Sequence, residues 1–316
     1  MNKKKVVILG GGTGSSRVLM SLKDLPIDIT AVVTVSDNGS STGKLREQFS
    51  IPAVGDIRKV ISNLSPLDNE IKEVMEERIA IGSKDNKHAI GNLILTSLFN
   101  NTGSLKESIN RLSQLLQVKH TVLPLSEDNL TLIGETYDGK IIEGEEQITK
   151  ARLDYKRIGY KEEIHVLNEV IDSIKKADLV IISIGSLYTS ILPHLISKDV
   201  VKVLNKTKAK IMYICNAMTQ PGETDNFGVS DHVNTLEKYI GLGTIDVVIA
   251  SNTKIDEKML RKYETEEQKD QVFIDYNKLK DVTYEVIEED LLTTEEGKIT
   301  HNSMKLSSVI FSYLNR

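Results

Sequence analysis

The apolar run Val6-Val-Ile-Leu9 breaks straight into Gly10-Gly-Gly-Thr-Gly14, and a stretch with helical periodicity, Ser16–Leu25, follows at once. Strand, glycine turn and helix in such quick succession restrict the chain to a βα unit. The turn stacks backbone N–H groups at a helix N-terminus, where the dipole favours an anion and no side chain blocks its approach. A phosphate-bearing ligand is the expectation; a tight βα turn without a ligand is the alternative. The dinucleotide fingerprint G-x-G-x-x-G is incomplete, because Ser15 stands at its third glycine, which leaves phosphate binding intact and weakens a reading as an NAD site.

The same alternation continues. Ile29–Val35, Asp178–Ile184, Lys210–Cys215 and Asp246–Ala250 are continuous apolar runs, each followed by a polar loop and a helical stretch. Such runs fit parallel strands covered on both faces. Val272–Ile274 and Val282–Ile287 read as short edge strands and His301–Leu314 as a closing helix. The prediction is an α/β fold: a Rossmann-like, doubly wound, mostly parallel sheet in one domain spanning 1–316. A helical insertion with no strand signal is expected over about 66–120. A β-hairpin is expected over about 129–145, where two alternating runs meet at Asp138-Gly139. The charged stretch Asp256–Asp270 reads as a solvated helix face.

Composition narrows the function classes. A net charge of −5 and a pI near 5.8 argue against a nucleic-acid binder, which ordinarily carries a basic excess. No apolar stretch reaches the ~18 residues of a membrane span. Val6–Leu9 is too short to serve as the core of a secretory signal. The one cysteine, Cys215, closes an apolar run and excludes an internal disulfide. The expected compartment is the cytoplasm. The six histidines show no metal-ligand spacing and Gly-x-Ser-x-Gly is absent.

Loops that follow parallel strands gather at one sheet edge, so these loops should build one site. Beyond Gly11, Gly12, Thr13 and Gly14, the loop Ser36–Lys44 offers Asp37, Asn38, Gly39 and Ser40. Asp37 stands where dinucleotide folds place a ribose-binding acid, and it is equally a candidate magnesium ligand. Gly55-Asp-Ile-Arg58 supplies Arg58 as a phosphate fork, while Asp56 either caps the next helix or touches metal. Gly185 and Ser186 open a second anion-ready helix start. Asn216-Ala-Met-Thr-Gln-Pro-Gly-Glu-Thr-Asp225 is rich in groups that recognise polyols and bases. His88, at the helical entry His88-Ala-Ile-Gly-Asn92, is either a satisfied structural residue or a base.

Read together, these segments resemble one family. Gly10–Gly14, Val33–Arg46, Gly55–Arg58, His88–Asn92, Gly185–Pro193 and Cys215–Asp225 look like those of the gluconeogenesis factor (YvcK-like) proteins, which are similar to the CofD 2-phospho-L-lactate transferases. The resemblance implies a Rossmann-like sheet with a helical subdomain and binding of a nucleotide sugar, especially UDP-N-acetylglucosamine. It also implies a role in cell shape, wall synthesis and growth on gluconeogenic carbon sources. By position, Gly11–Gly14 and Gly185, Ser186 and Leu187 would hold phosphates. Asn216, Thr219 and Gln220 would read base or sugar, and Tyr263 would stack on the base. His88 and Asn92 fall within a shared motif. Where relatives pair two aspartates this chain has Asp37-Asn38, and a neutral amide is a poorer ligand for a hard cation. Thr300-His-Asn302, Val54 and Lys59 also depart from the family's pattern.

Three functions follow as expectations. The first is a nucleotide-sugar-binding regulator without turnover, partnered by wall-synthesis proteins, with a homodimer open. The second is a magnesium-dependent, CofD-like transferase using Asp37 and Asp56. The third is an NAD-dependent dehydrogenase.

Overall fold

A computed structural model describes residues 3–295 and 297–316. Its centre is a seven-stranded sheet in which every neighbouring pair is parallel. In chain order the strands are β1 (Lys4–Leu9), β2 (Ile27–Val33), β3 (Thr121–Pro124), β4 (Leu179–Ile182), β5 (Lys210–Ile214), β6 (Val247–Ser251) and β7 (Glu285–Glu289). They lie in the spatial order β3-β2-β1-β4-β5-β6-β7. Chain direction across the sheet reverses between β1 and β4, which opens a crevice at their carboxyl ends.

The apolar runs are continuous because both faces are covered. Val6, Ile8, Ile181, Met212 and Ile249 face one core with the helices Gly12–Leu22 (α1), Gly55–Leu64 and Ser303–Leu314. The alternate residues Val7, Leu9, Val180, Ile182 and Val248 face a second core. That core is covered by the helices Asn168–Lys176, Lys198–Leu204 and Val229–Ile240.

Several boundaries differ from the sequence reading. The polar stretch after β2 is already helical from Ser40, within Ser40–Phe49. The segment expected to be wholly helical has helices at Asn69–Glu76, Ile90–Thr102 and Leu105–Leu115. It also contains an antiparallel hairpin, Arg78–Ala80 with Lys87–Ala89; three-residue strands show no alternation to read. Just beyond it, Thr121–Pro124 joins the main sheet as an edge strand. Val272–Ile274 is not an edge strand: that stretch makes only isolated bridges, Met218 with Gln271 and Gly228 with Phe273.

Leu132–Thr136 pairs with Ile141–Glu143 across Asp138-Gly139, and a third strand, Tyr155–Tyr160, completes this small antiparallel sheet. A further hairpin joins Leu292–Glu295 to Lys298–His301. No helix among the described residues is long and apolar enough to cross a membrane.

Candidate functional site

Three of the glycines after β1 have a local steric cause. A Cβ on Gly14 would lie 2.3 Å from the carbonyl oxygen of Ile184, and one on Gly10 would lie 2.8 Å from the Cβ of Ser183. Both permit the glycine loop to press against the turn after β4. Gly12 has φ +66°, a region that favours glycine. Glycine density in this loop is therefore already explained by packing, and the case for an anion rests on what the amides face.

They face a cleft of about 470 Å³, lined by Thr13, Gly14, Gly185, Asn216, Gln220 and Tyr263 among others. The α1 N-terminus has no side-chain cap at Gly11, and Thr13 and Gly14 open onto the cleft, while the nearest internal anion, Asp56, lies against Gly11 and Gly12. Asn216 clasps the two walls. Its Nδ2 donates to the Gly185 carbonyl at 2.8 Å, and its Oδ1 accepts from the Gly185 amide at 3.3 Å.

The cleft also holds groups that sequence reasoning missed. Arg17 pairs with Glu295 at 2.6 Å and Lys269 with Glu267 at 2.7 Å. Lys298 lines the cleft and forms no ion pair among the described residues. Two of these cations reach the cleft from the C-terminal third of the chain, in stretches without a motif. His301 is buried in the wall, and burial pushes its imidazole down to about 4, leaving a neutral ring.

Other expected site residues serve the protein itself. The Thr219 amide donates to the Asp270 carbonyl at 2.7 Å, and its hydroxyl accepts from the Asp270 amide at 2.9 Å. The Tyr263 hydroxyl accepts from the Ile299 amide at 2.8 Å, pinning the last hairpin over the cleft. Leu187 is fully buried in the core. The turn it begins is occupied by an internal anion, because Glu223 accepts from Ser186 Oγ at 2.6 Å and from the Tyr188 amide at 3.2 Å. Gln220 donates to the other carboxylate oxygen at 2.7 Å.

A carboxylate cluster lies on the far side of the glycine loop. A Cβ on Gly11 would meet Asp56 Oδ2 at 2.8 Å. Lys59 donates to Asp56 at 3.1 Å. Burial, then the charge of Asp56, raises the Asp37 carboxyl above the usual range, against a hydrogen bond from the Gly39 amide. Glu145, unremarked in the sequence, is raised further by burial and by Asp37 and Asp56. The aspartate thus finds its acidic neighbours across space rather than next in sequence. Asn38 turns to the short helix Glu145–Ala151 between two strands of the small antiparallel sheet, where its Oδ1 accepts from the Glu146 amide at 2.9 Å and its Nδ2 donates to Gln147 at 2.9 Å. Ser40 accepts from Arg78 at 3.1 Å. No group of three or more His, Cys, Asp or Glu among the described residues is placed to hold a metal ion.

The remaining candidates belong to the helical segment. Arg58 is 3% exposed and reaches Glu76 at 2.7 Å, away from the cleft. Asn92 donates to Ser41 Oγ at 3.2 Å, Ser41 lies 3.1 Å from His88 Nδ1, and His88 Nε2 lies 3.0 Å from Asn86 Oδ1. The chain of donors is satisfied with a neutral, Nε2-protonated ring, and burial lowers its basicity. His88 is a structural histidine here.

The 2-phospho-L-lactate transferase CofD family matches residues 6–292. The gluconeogenesis factor of Bacillus subtilis is 40% identical over 99% of this chain and 98% of its own length. That of Halalkalibacterium halodurans is 37% identical over 98% and 96%. A crystal structure of a Bacillus halodurans protein superposes with a TM-score of 0.94 at 36% identity, covering 98% of this chain and all of that one.

Proposed function

The chain belongs to the gluconeogenesis factor family within the wider CofD family, and we propose that its cleft binds a nucleotide sugar, UDP-N-acetylglucosamine foremost. In this reading the protein is a cytoplasmic regulator that couples sugar-nucleotide supply to wall synthesis, cell shape and gluconeogenic growth, acting through wall-synthesis proteins. The observation that carries the reading is the α1 start, whose Thr13 and Gly14 line a cleft with Lys298 in its wall. A diphosphate there would accept from the Thr13 and Gly14 amides and meet the lysine's charge. The cleft's volume lies within the ~300–1,000 Å³ usual for small-molecule sites. Asn216 and Gln220 each spend one amide N–H on Gly185 and Glu223, and the second N–H of each amide, with the Gln220 oxygen, matches the edges of a base or the hydroxyls of a sugar.

The test is a thermal-shift panel of UDP-N-acetylglucosamine, GDP and NAD, with and without magnesium. At about 100 times its Kd a ligand adds ~2.7 kcal/mol of stability, a shift of several degrees in Tm. No rise with UDP-N-acetylglucosamine would overturn the proposal.

The coupled pair Asp37 and Asp56 supports a second reading, a magnesium-dependent transferase. Magnesium is ordinarily held by one or two carboxylates together with substrate phosphates, and the two acids flank the loop where a diphosphate would sit. A divalent cation would offset the burial and the Asp56 charge that together raise Asp37. Magnesium-dependent product formation that Asp37→Ala abolishes would favour this reading over the first.

A further inference from the structure

Four large apolar side chains stand in the open between residues 71 and 81: Ile71 (43% exposed), Val74 (47%), Ile79 (40%) and Ile81 (44%). The first two lie on helix Asn69–Glu76, whose one buried residue is Met75. Ile79 lies in Arg78–Ala80, the outer strand of the short antiparallel hairpin, opposite His88.

Hydrogen bonds from Ile81 N to Asn86 O and from Ile90 N to Glu77 O, both 2.9 Å, bracket that hairpin. Antiparallel alternation then turns the peptide groups of Glu77, Ile79 and Ile81 inward and those of Arg78 and Ala80 outward. The outward groups have no main-chain partner among the described residues. A free strand edge carrying exposed isoleucines is a template for another strand.

We propose that this edge joins two copies of the chain in an isologous dimer, with antiparallel pairing about a two-fold axis at Ile79. Arg78 then faces Ala80 of the second copy and Ala80 faces its Arg78, and each such pair exchanges two hydrogen bonds. All the outward groups are satisfied. Ile79 meets Ile79 as the closely spaced, non-hydrogen-bonded pair, whose side chains touch.

Charge agrees with that direction. The approach to the strand carries Glu70, Glu73 and Glu77 against Lys72, with Glu76 already paired to Arg58, and the exit carries Lys84 and Lys87 against Asp85. Antiparallel pairing brings each acidic approach beside the other copy's basic exit. Such an interface would also fix the hairpin that presents Arg78 to Ser40.

Sedimentation equilibrium on the full chain tests the proposal. Wild type is expected at twice 35.2 kDa at tens of micromolar. Ile79→Glu and Ile79→Lys should each be monomeric, since the axis sets the new charge against its own copy, and an equimolar mixture of the two should dimerise again. Ala80→Pro is a second, independent block. It removes an outward-facing N–H that the hairpin does not use, so circular dichroism should stay that of wild type while the dimer is lost. A monomeric wild type, or a dimer that survives the charge variants or Ala80→Pro, would overturn the proposal.

Discussion

Glu223 Oε2 takes the Ser186 hydroxyl at 2.6 Å and the Tyr188 amide at 3.2 Å, so the turn after β4 carries an anion of its own. Of the two glycine-led helix starts at the sheet's carboxyl edge, α1 is the one whose Thr13 and Gly14 line the cleft, its internal acid, Asp56, lying against Gly11 and Gly12 instead. The two turns divide the work: one is neutralised from within and forms a fixed wall, the other receives.

That internal anion makes stability depend on pH. Burial raises Glu223 to about 6 from an ordinary 4.5, so the folded protein holds this proton more tightly than the unfolded chain. The contribution is fully present below pH 4.5 and is lost as pH rises through 6, about 2 kcal/mol in all. Glu223→Gln should flatten that part of the urea-denaturation profile and gain relative to wild type at neutral pH. Parallel profiles for the two proteins would refute the assignment.

The opposite sign is expected from His194. It is fully buried, its Nε2 donates to the Val32 carbonyl at 3.0 Å, and burial lowers it to about 4. The unfolded chain takes up the proton first, so the contribution is present above pH 6.5 and is lost as pH falls through 4. The loss is about 3 kcal/mol. His194→Gln should remove that share of the acid sensitivity in equilibrium unfolding between pH 6.5 and 4.

Gly14→Ala should be more damaging than Gly11→Ala. At Gly14 the added methyl meets the main chain of Ile184, whereas at Gly11 it meets the end of the Asp56 side chain, which can turn away. A loss of about 1–3 kcal/mol is expected for Gly14→Ala and a smaller one for Gly11→Ala, read as Tm. Equal losses would contradict the backbone contact.

Arg58 and Lys298 should separate stability from binding. Arg58→Ala breaks a contact within the helical segment and is expected to cost about 1–3 kcal/mol, leaving the affinity for UDP-N-acetylglucosamine unchanged. Lys298→Ala should leave Tm near wild type and weaken that affinity about tenfold, the equivalent of ~1.4 kcal/mol. Isothermal titration of both variants gives the comparison; a binding defect in Arg58→Ala alone would reverse the assignment.

The sheet was legible because its strands are buried on both faces and so read as unbroken Val/Ile/Leu runs. Thr121–Pro124 escaped because an edge strand of four residues ending in proline has no such run. The hairpin at Arg78–Ala80 escaped because its residues are exposed and mixed. At the site, the convergence of Gly14, Gly185, Asn216 and Gln220 follows from topology alone. Side-chain destinations do not. Arg58 looked like a phosphate fork until Glu76, on a separate helix, took its charge. Glu145 and Glu223 gave no signal because what marks them is burial and the company of distant acids.

The place of Asn38 has a wider consequence. By holding Glu146 and Gln147 it ties the helix Glu145–Ala151, and with it the three-stranded antiparallel module, to the loop after β2. An aspartate at this position would keep the acceptor for the Glu146 amide and lose the donor to Gln147. It would also set a further negative charge among acids already crowded together. The amide spares this chain that repulsion and makes the residue a tether between the acid-bearing loop and the module.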